Sequence, residues 1–189
     1  MLAVVVLLSV SAFAIPLGLP TAIVGIATLL AAMLAERKSP WLVVREISWS
    51  ILPLVAGLFV LVEALAHSGV IAYLADALRT AANVSDTGAA AGMGGLIGFA
   101  CNLMNNLPAG LIARSTLKAA EASRRITDAA LIGVDLGPNL SITGSLATIL
   151  WLAAVRRDGE EVGFWRFLKA GVLVMPPALI AALLARLAL

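Results

Sequence analysis

The 189-residue chain is poor in almost everything that polar chemistry uses. It has one cysteine (Cys101), one histidine (His67) and one tyrosine (Tyr73). A lone cysteine excludes an internal disulfide and a cysteine cluster for zinc or iron–sulfur. With one His and one Cys, a buried catalytic triad or metal centre has almost nothing to use, and no phosphate-binding loop of the Walker type occurs. We expect no enzyme active site, no metal and no cofactor. Charge is scarce too. Charged residues make up 13% of the chain, against about 25% in a typical soluble domain. The net charge of +2 is not gathered into a basic patch, which argues against nucleic-acid binding.

What is present is apolar. Hydrophobic residues are 61% of the chain and the mean hydropathy is +1.03. A soluble fold of this length needs more polar surface than that. The expectation is an all-α polytopic protein of the lipid bilayer, a single transmembrane domain over residues 1–189 with about five to seven membrane segments.

The N-terminal run, Leu2–Ile15, has a signal-like "AFA" but no basic residue ahead of it, so a transmembrane helix is the preferred reading. "PLGLP" should break it at Pro16 and Pro20. A second run covers Thr21–Ala35, followed by a charged loop, Glu36–Glu46, with Trp41 as an interfacial anchor. Ser48–Ala66 reads as a clean span, Ser68–Ala82 as a weaker interfacial helix carrying Asp76 and Arg79, and "NVSDTG" as a loop. Phe167–Leu189 is the last span, with Pro176 and Pro177 in its middle.

Two stretches do not suit ordinary spans. Gly88–Arg125 has apolar halves of about a dozen residues, too short to cross and suited to a re-entrant hairpin over about 88–122, with "NLMNNLPAG" at its tip. Ile126–Asp135 and Gly144–Val155 are half-length helices around "LGPNLSIT", a discontinuous helix over about 126–156. Broken backbone at membrane depth is tolerated only where it is buried in protein or lines a polar cavity. Secondary transporters place substrate sites there, between half-helices. Candidate substrate- or ion-binding residues are therefore Asn102, Asn105, Asn106 and Pro108 in the first break. In the second they are Asp135, Gly137, Asn139, Ser141, Thr143, Gly144 and Ser145. Capping and turn chemistry is the competing role for the Asn, Ser and Thr side chains.

Asp135 is the candidate proton carrier, because intramembrane acids usually face a cavity. Glu63 and His67 read as an i,i+4 pair at a helix end, with a coupling role as the alternative. Cys101 reads as a small packing residue. The run "GAAAGMGG" suits close helix packing. Basic residues divide seven (Arg37, Lys38, Arg45, Arg156, Arg157, Arg166, Lys169) against six (Arg79, Arg114, Lys118, Arg124, Arg125, Arg186), which leans the first group towards the cytoplasm.

"NLMNNLPAG" followed by "GVDLGPNLSITGSLATILWL" resembles the C-terminal half of the arsenical pump membrane protein (ArsB) family, within the ion transporter superfamily. Ser48–Gly69 and the closing "FLKAGVLVMPPALIAALLA" also resemble it. The resemblance implies efflux of arsenite or antimonite across the inner (plasma) membrane by alternating access, with protons as the coupling ion. It also implies a cytoplasmic ATPase subunit as a partner in some members. A sodium/proton antiporter or small-anion carrier of the same superfamily, or a non-transporting membrane fragment, is the alternative. Family members run to roughly twice this length as two inverted repeats, and one repeat is visible here. A fragment, a truncated product or one half of a split carrier is expected, needing an N-terminal half or a second copy. Members often have a proline where this chain has Ser141–Thr143, which leaves fine substrate preference open.

Overall fold

A computed structural model describes residues 18–36, 51–157 and 159–188, with the single positions Val6, Ser9, Val10, Trp41 and Trp49. Among the described residues all regular structure is helical. Most of the first apolar run and of the charged loop over Glu36–Glu46 lies outside the described residues. The chain divides into two compact units, Met1–Ile51 and Leu52–Leu189. In the first, α1 (Gly18–Glu36) takes in Pro20, which sits in the opening turn where no backbone N–H is needed.

The second unit opens within α2 (Ile51–His67), at Leu52, and α2 meets α3 (Val70–Val84) at a bend of 68°. Gly69 makes the bend, with φ of 84°, a left-handed conformation that glycine adopts without a Cβ penalty. Glu63 and His67 pair at 3.1 Å on the exposed last turn of α2.

The expected loop "NVSDTG" is reduced to one residue. Asn83 and Val84 complete α3, and Ser85 caps α4 (Asp86–Met104) by accepting from the Gly88 N–H at 3.0 Å. A Ser N-cap followed by an acid in the first turn starts a helix at once. Asn105 then separates α4 from α5 (Asn106–Ala120). The stretch expected as a hairpin over about 88–122 thus holds two helices of 19 and 15 residues, longer than the dozen expected for each leg.

Ser123 caps α6 (Arg124–Leu136). Two 3₁₀ turns follow, Gly137–Leu140 and Ile142–Gly144, and then α7 (Leu146–Arg157). Pro138 has no N–H to continue the α ladder, so α6 stops here. Helix, two 3₁₀ turns and helix thus occupy 124–157, the stretch where a discontinuous helix over about 126–156 is expected. Last comes α8 (Phe164–Leu187), continuous through Pro176 and Pro177.

By length and apolar composition two described helices can cross a membrane, α4 and α8, or three if the bent α2–α3 pair counts as one span. The expected five to seven segments also counted half-length pieces and the first run, so the two numbers measure different things.

Glycine builds the centre of the second unit. Gly94 and Gly98 on α4 face Gly133 on α6 and Gly137 just past its end, each pair four residues apart. A methyl carbon on Gly133 would lie 3.2 Å from the Gly98 nitrogen, and one on Gly137 would overlap the Gly98 backbone. Matching residues ascend together, so the two helices run parallel, backbone against backbone, as small-xxx-small faces allow. From α8, Leu183 covers Gly94 and Leu179 covers Gly98. Buried Met93, Ile97, Cys101, Ile126 and Met175 pack around this seam.

Candidate functional site

The seam delivers both chain breaks to one place. One turn beyond Gly98 stands Asn102, and one turn beyond Gly137 stands Ser141, so the register that pairs the glycines pairs these two as well. The Asn102 amide nitrogen donates to the Gly98 and Gly137 carbonyls, each at 2.9 Å. Its Oδ1 accepts from the Ser141 N–H at 3.0 Å and from the Ser141 hydroxyl at 2.9 Å. Ser141 is buried, 6% exposed, so these bonds are shielded from water. Thr143 Oγ1 donates to the Asn102 carbonyl at 3.0 Å and lies 3.0 Å from Ser141 Oγ. Gly144 is packed so closely that a methyl there would stand 2.7 Å from Asn102 Oδ1.

Asn105 is the hinge of the hairpin, with φ 77° and ψ 152°. Asn enters positive φ more readily than most side chains. Its Oδ1 accepts from the Leu107 N–H at 3.3 Å, and its amide nitrogen reaches the Thr143 carbonyl at 3.4 Å. Pro108 is buried in the first turn of α5. Ser145 Oγ accepts from the Ala147 N–H at 3.1 Å and so caps α7. Asn139 is exposed and turns back on α6, donating to the Leu136 carbonyl at 3.0 Å. Gly171 of α8 packs on the backbone of Asn139 and Leu140.

The structure thus brings Asn102, Asn105, Gly137, Ser141, Thr143 and Gly144 into one cluster. Asn139 and Ser145 flank it through the helix ends they cap. Asn106 is half-buried at the start of α5, and its side chain has no hydrogen-bond partner among the described residues. Asp135 is exposed on the last turn of α6, with no ion pair or side-chain hydrogen bond among the described residues. Cys101 is buried in the core behind Asn102.

One ion pair was not legible in the sequence. Arg186 Nε and Nη2 both donate to Asp128 Oδ2, at 2.9 and 2.7 Å, tying the end of α8 to the start of α6. Arg124 approaches the same oxygen at 3.8 Å. Arg125 donates to Thr87 at 3.3 Å, and Arg79 donates to the Ala119 carbonyl. Arg79, Arg124, Arg125 and Arg186 therefore gather at one end of the bundle, remote from the breaks.

A groove of about 620 Å³ lies between α3, α4 and α5, away from both breaks. Its lining is almost wholly apolar; buried Thr116 on its wall has a hydroxyl with no partner among the described residues. It offers a polar solute nothing comparable to the clustered hydroxyls, amides and carbonyls of the breaks.

A model of the arsenical pump membrane protein family, ArsB, matches residues 1–188. The arsenical pump membrane protein of Escherichia coli (strain K12) is 32% identical over 191 residues, covering 96% of this chain and 44% of that protein. That of Yersinia enterocolitica is 31% identical with the same coverage. An uncharacterized transporter of Mycobacterium tuberculosis is 32% identical over 145 residues, covering 68% of this chain and 32% of that protein. No solved structure matches the chain. The chain spans less than half the length of the curated arsenical pump relatives it matches. With a family match running from end to end and relatives of this identity, the chain belongs to the arsenical pump membrane protein (ArsB) family.

Proposed function

We propose that this chain supplies one half of a membrane carrier that exports arsenite or antimonite across the inner membrane, by alternating access and in exchange for protons. The observation that carries the reading is the junction of the two breaks through Asn102, Ser141 and Thr143. Undissociated arsenite presents hydroxyl groups and no full charge. Hydroxyls, amides and loose backbone groups suit it better than a cluster of fixed charges would. Thr143, Asn106 and Asn139 offer polar atoms at the accessible edge, while Asn105 and Ser145 hold the half-helix ends in place. Gly137, Pro108 and Gly144 shape the backbone around them.

Asp135 carries the proton in this scheme. It stands beside the break, exposed and with no ion pair among the described residues, and acids within membrane segments usually mark ion or proton paths. The other wall of the site comes from an N-terminal half of the carrier or a second copy, and a cytoplasmic ATPase subunit is a further partner. The test is accumulation of arsenite in cells expressing this chain together with an N-terminal half, against cells with either part alone. Lower accumulation with the pair supports the reading. Unchanged accumulation, with both parts present in the membrane, overturns it. Sodium movement without arsenite movement would assign the antiporter alternative instead.

A further inference from the structure

We infer that Asn102 is a positioning residue that locks the two breaks in register, and that Thr143 carries the hydroxyl a solute meets. The hydrogen-bond count at the junction separates the two roles. Asn102 has two amide N–H donors, and both are used, on Gly98 and Gly137. Its Oδ1 has two lone pairs, and both are used, on the Ser141 N–H and hydroxyl. Its backbone carbonyl holds Thr143. A ligand can reach the Asn102 side chain only by breaking one of its four bonds, three of which tie α4 to the backbone and hydroxyl of the second break.

The hydroxyls are in the opposite state. Ser141 and Thr143 have two O–H protons between them, and three contacts ask for one: Ser141 to Asn102 Oδ1, Thr143 to the Asn102 carbonyl, and Ser141 to Thr143. One contact is always without a proton. Ser141 is buried, and redirecting its proton would strip Asn102 Oδ1 of a donor. Thr143 is exposed, so its oxygen is the one open to a new donor. A solute O–H arriving at Thr143 donates to a lone pair of its oxygen, while the Thr143 proton stays on the Asn102 carbonyl and the Asn102 bonds are left in place.

The transport arm of the test rests on the carrier reading; the geometric arm does not. Nitroxide labels at Leu103 and Ile149, exposed positions beside the two breaks, report their separation in membranes in a Cys101→Ala background of the carrier. Asn102→Ala should broaden or lengthen the distance distribution and lower maximal flux. Thr143→Val should keep the distribution narrow and raise KM up to about tenfold, the loss of one hydrogen bond. Asn102→Asp keeps the acceptors but loses both donors, so it should broaden the distribution as well. If Asn102→Ala leaves the distance narrow and raises KM as Thr143→Val does, Asn102 is a contact residue and the inference fails. It fails equally if Thr143→Val broadens the distance. The geometric results as stated, without arsenite flux in the parent carrier, would sink the carrier reading and leave the role of Asn102 standing.

Discussion

Gly98 and Gly137 touch through bare backbone, and a methyl carbon on Gly137 would occupy the space of the Gly98 carbonyl. This contact sets the spacing at which Asn102, one turn further on, reaches both the Gly137 carbonyl and Ser141. The cluster at the breaks is therefore a consequence of the glycine seam below it.

Gly137→Ala should be destabilising, because the methyl meets backbone rather than a flexible side-chain end. A loss of about 1–3 kcal/mol is expected for such overpacking. Gly95→Ala, on the same helix as Gly98 but with open space at its Cβ position, should stay within about 0.5 kcal/mol. Unfolding in detergent, followed by the accessibility of buried Cys101, measures both.

The Asp128–Arg186 pair should be energetically coupled. The two side chains are 29% and 28% exposed, between a surface pair and a buried one. Either Asp128→Asn or Arg186→Gln should cost about 1–2 kcal/mol, and the double variant less than the sum. A double-mutant cycle on unfolding reads the coupling directly. Additive losses would show that Arg186 contributes by packing alone.

Asp135→Asn should leave the folded protein intact, since the carboxylate holds no partner among the described residues. In the proposed carrier, flux driven by a proton gradient should fall at least tenfold, while exchange without a gradient persists. Wild-type flux across a pH series would remove Asp135 from the coupling step.

Cys101 should resist a bulky maleimide in the native membrane and react after denaturation, because it is fully buried. In the proposed carrier, assembled with an N-terminal half, Cys101→Ala should leave arsenite flux close to the parent rate. Loss of export with normal protein level would make the thiol part of the pathway.

Much of this arrangement can be read from the amino-acid order. Gly137 and Pro138 announce the second break, and Asn105 with Pro108 announces the first, because these residues interrupt or restart helices by local chemistry alone. Ser85 reads as loop within a polar run but is a helix cap, since a cap and a loop use the same residue types and only the neighbouring helices decide between them. The α4–α6 seam left a clear trace: Gly94, Gly98 and Asn102 recur every four residues, as do Gly133, Gly137 and Ser141. The spacing shows a small-residue face on each, but not that the two faces meet. Asp128 and Arg186 are 58 residues apart, and their meeting depends on the path of α8, which no local signal encodes. Saturation of the Asn102 amide likewise emerges only once both breaks are in place.

The meeting of the two breaks is tested most directly by cross-linking. Cysteines at Asn105 and Thr143, in a Cys101→Ala background, should be joined by a short bifunctional thiosulfonate in native membranes, because the Asn105 amide lies 3.4 Å from the Thr143 carbonyl. A control pair at Asn105 and Arg186, at opposite ends of the bundle, should stay unjoined. Efficient cross-linking of the first pair alone is the predicted result. Failure of that pair to join, with both cysteines reactive towards a single-ended reagent, would contradict the shared site.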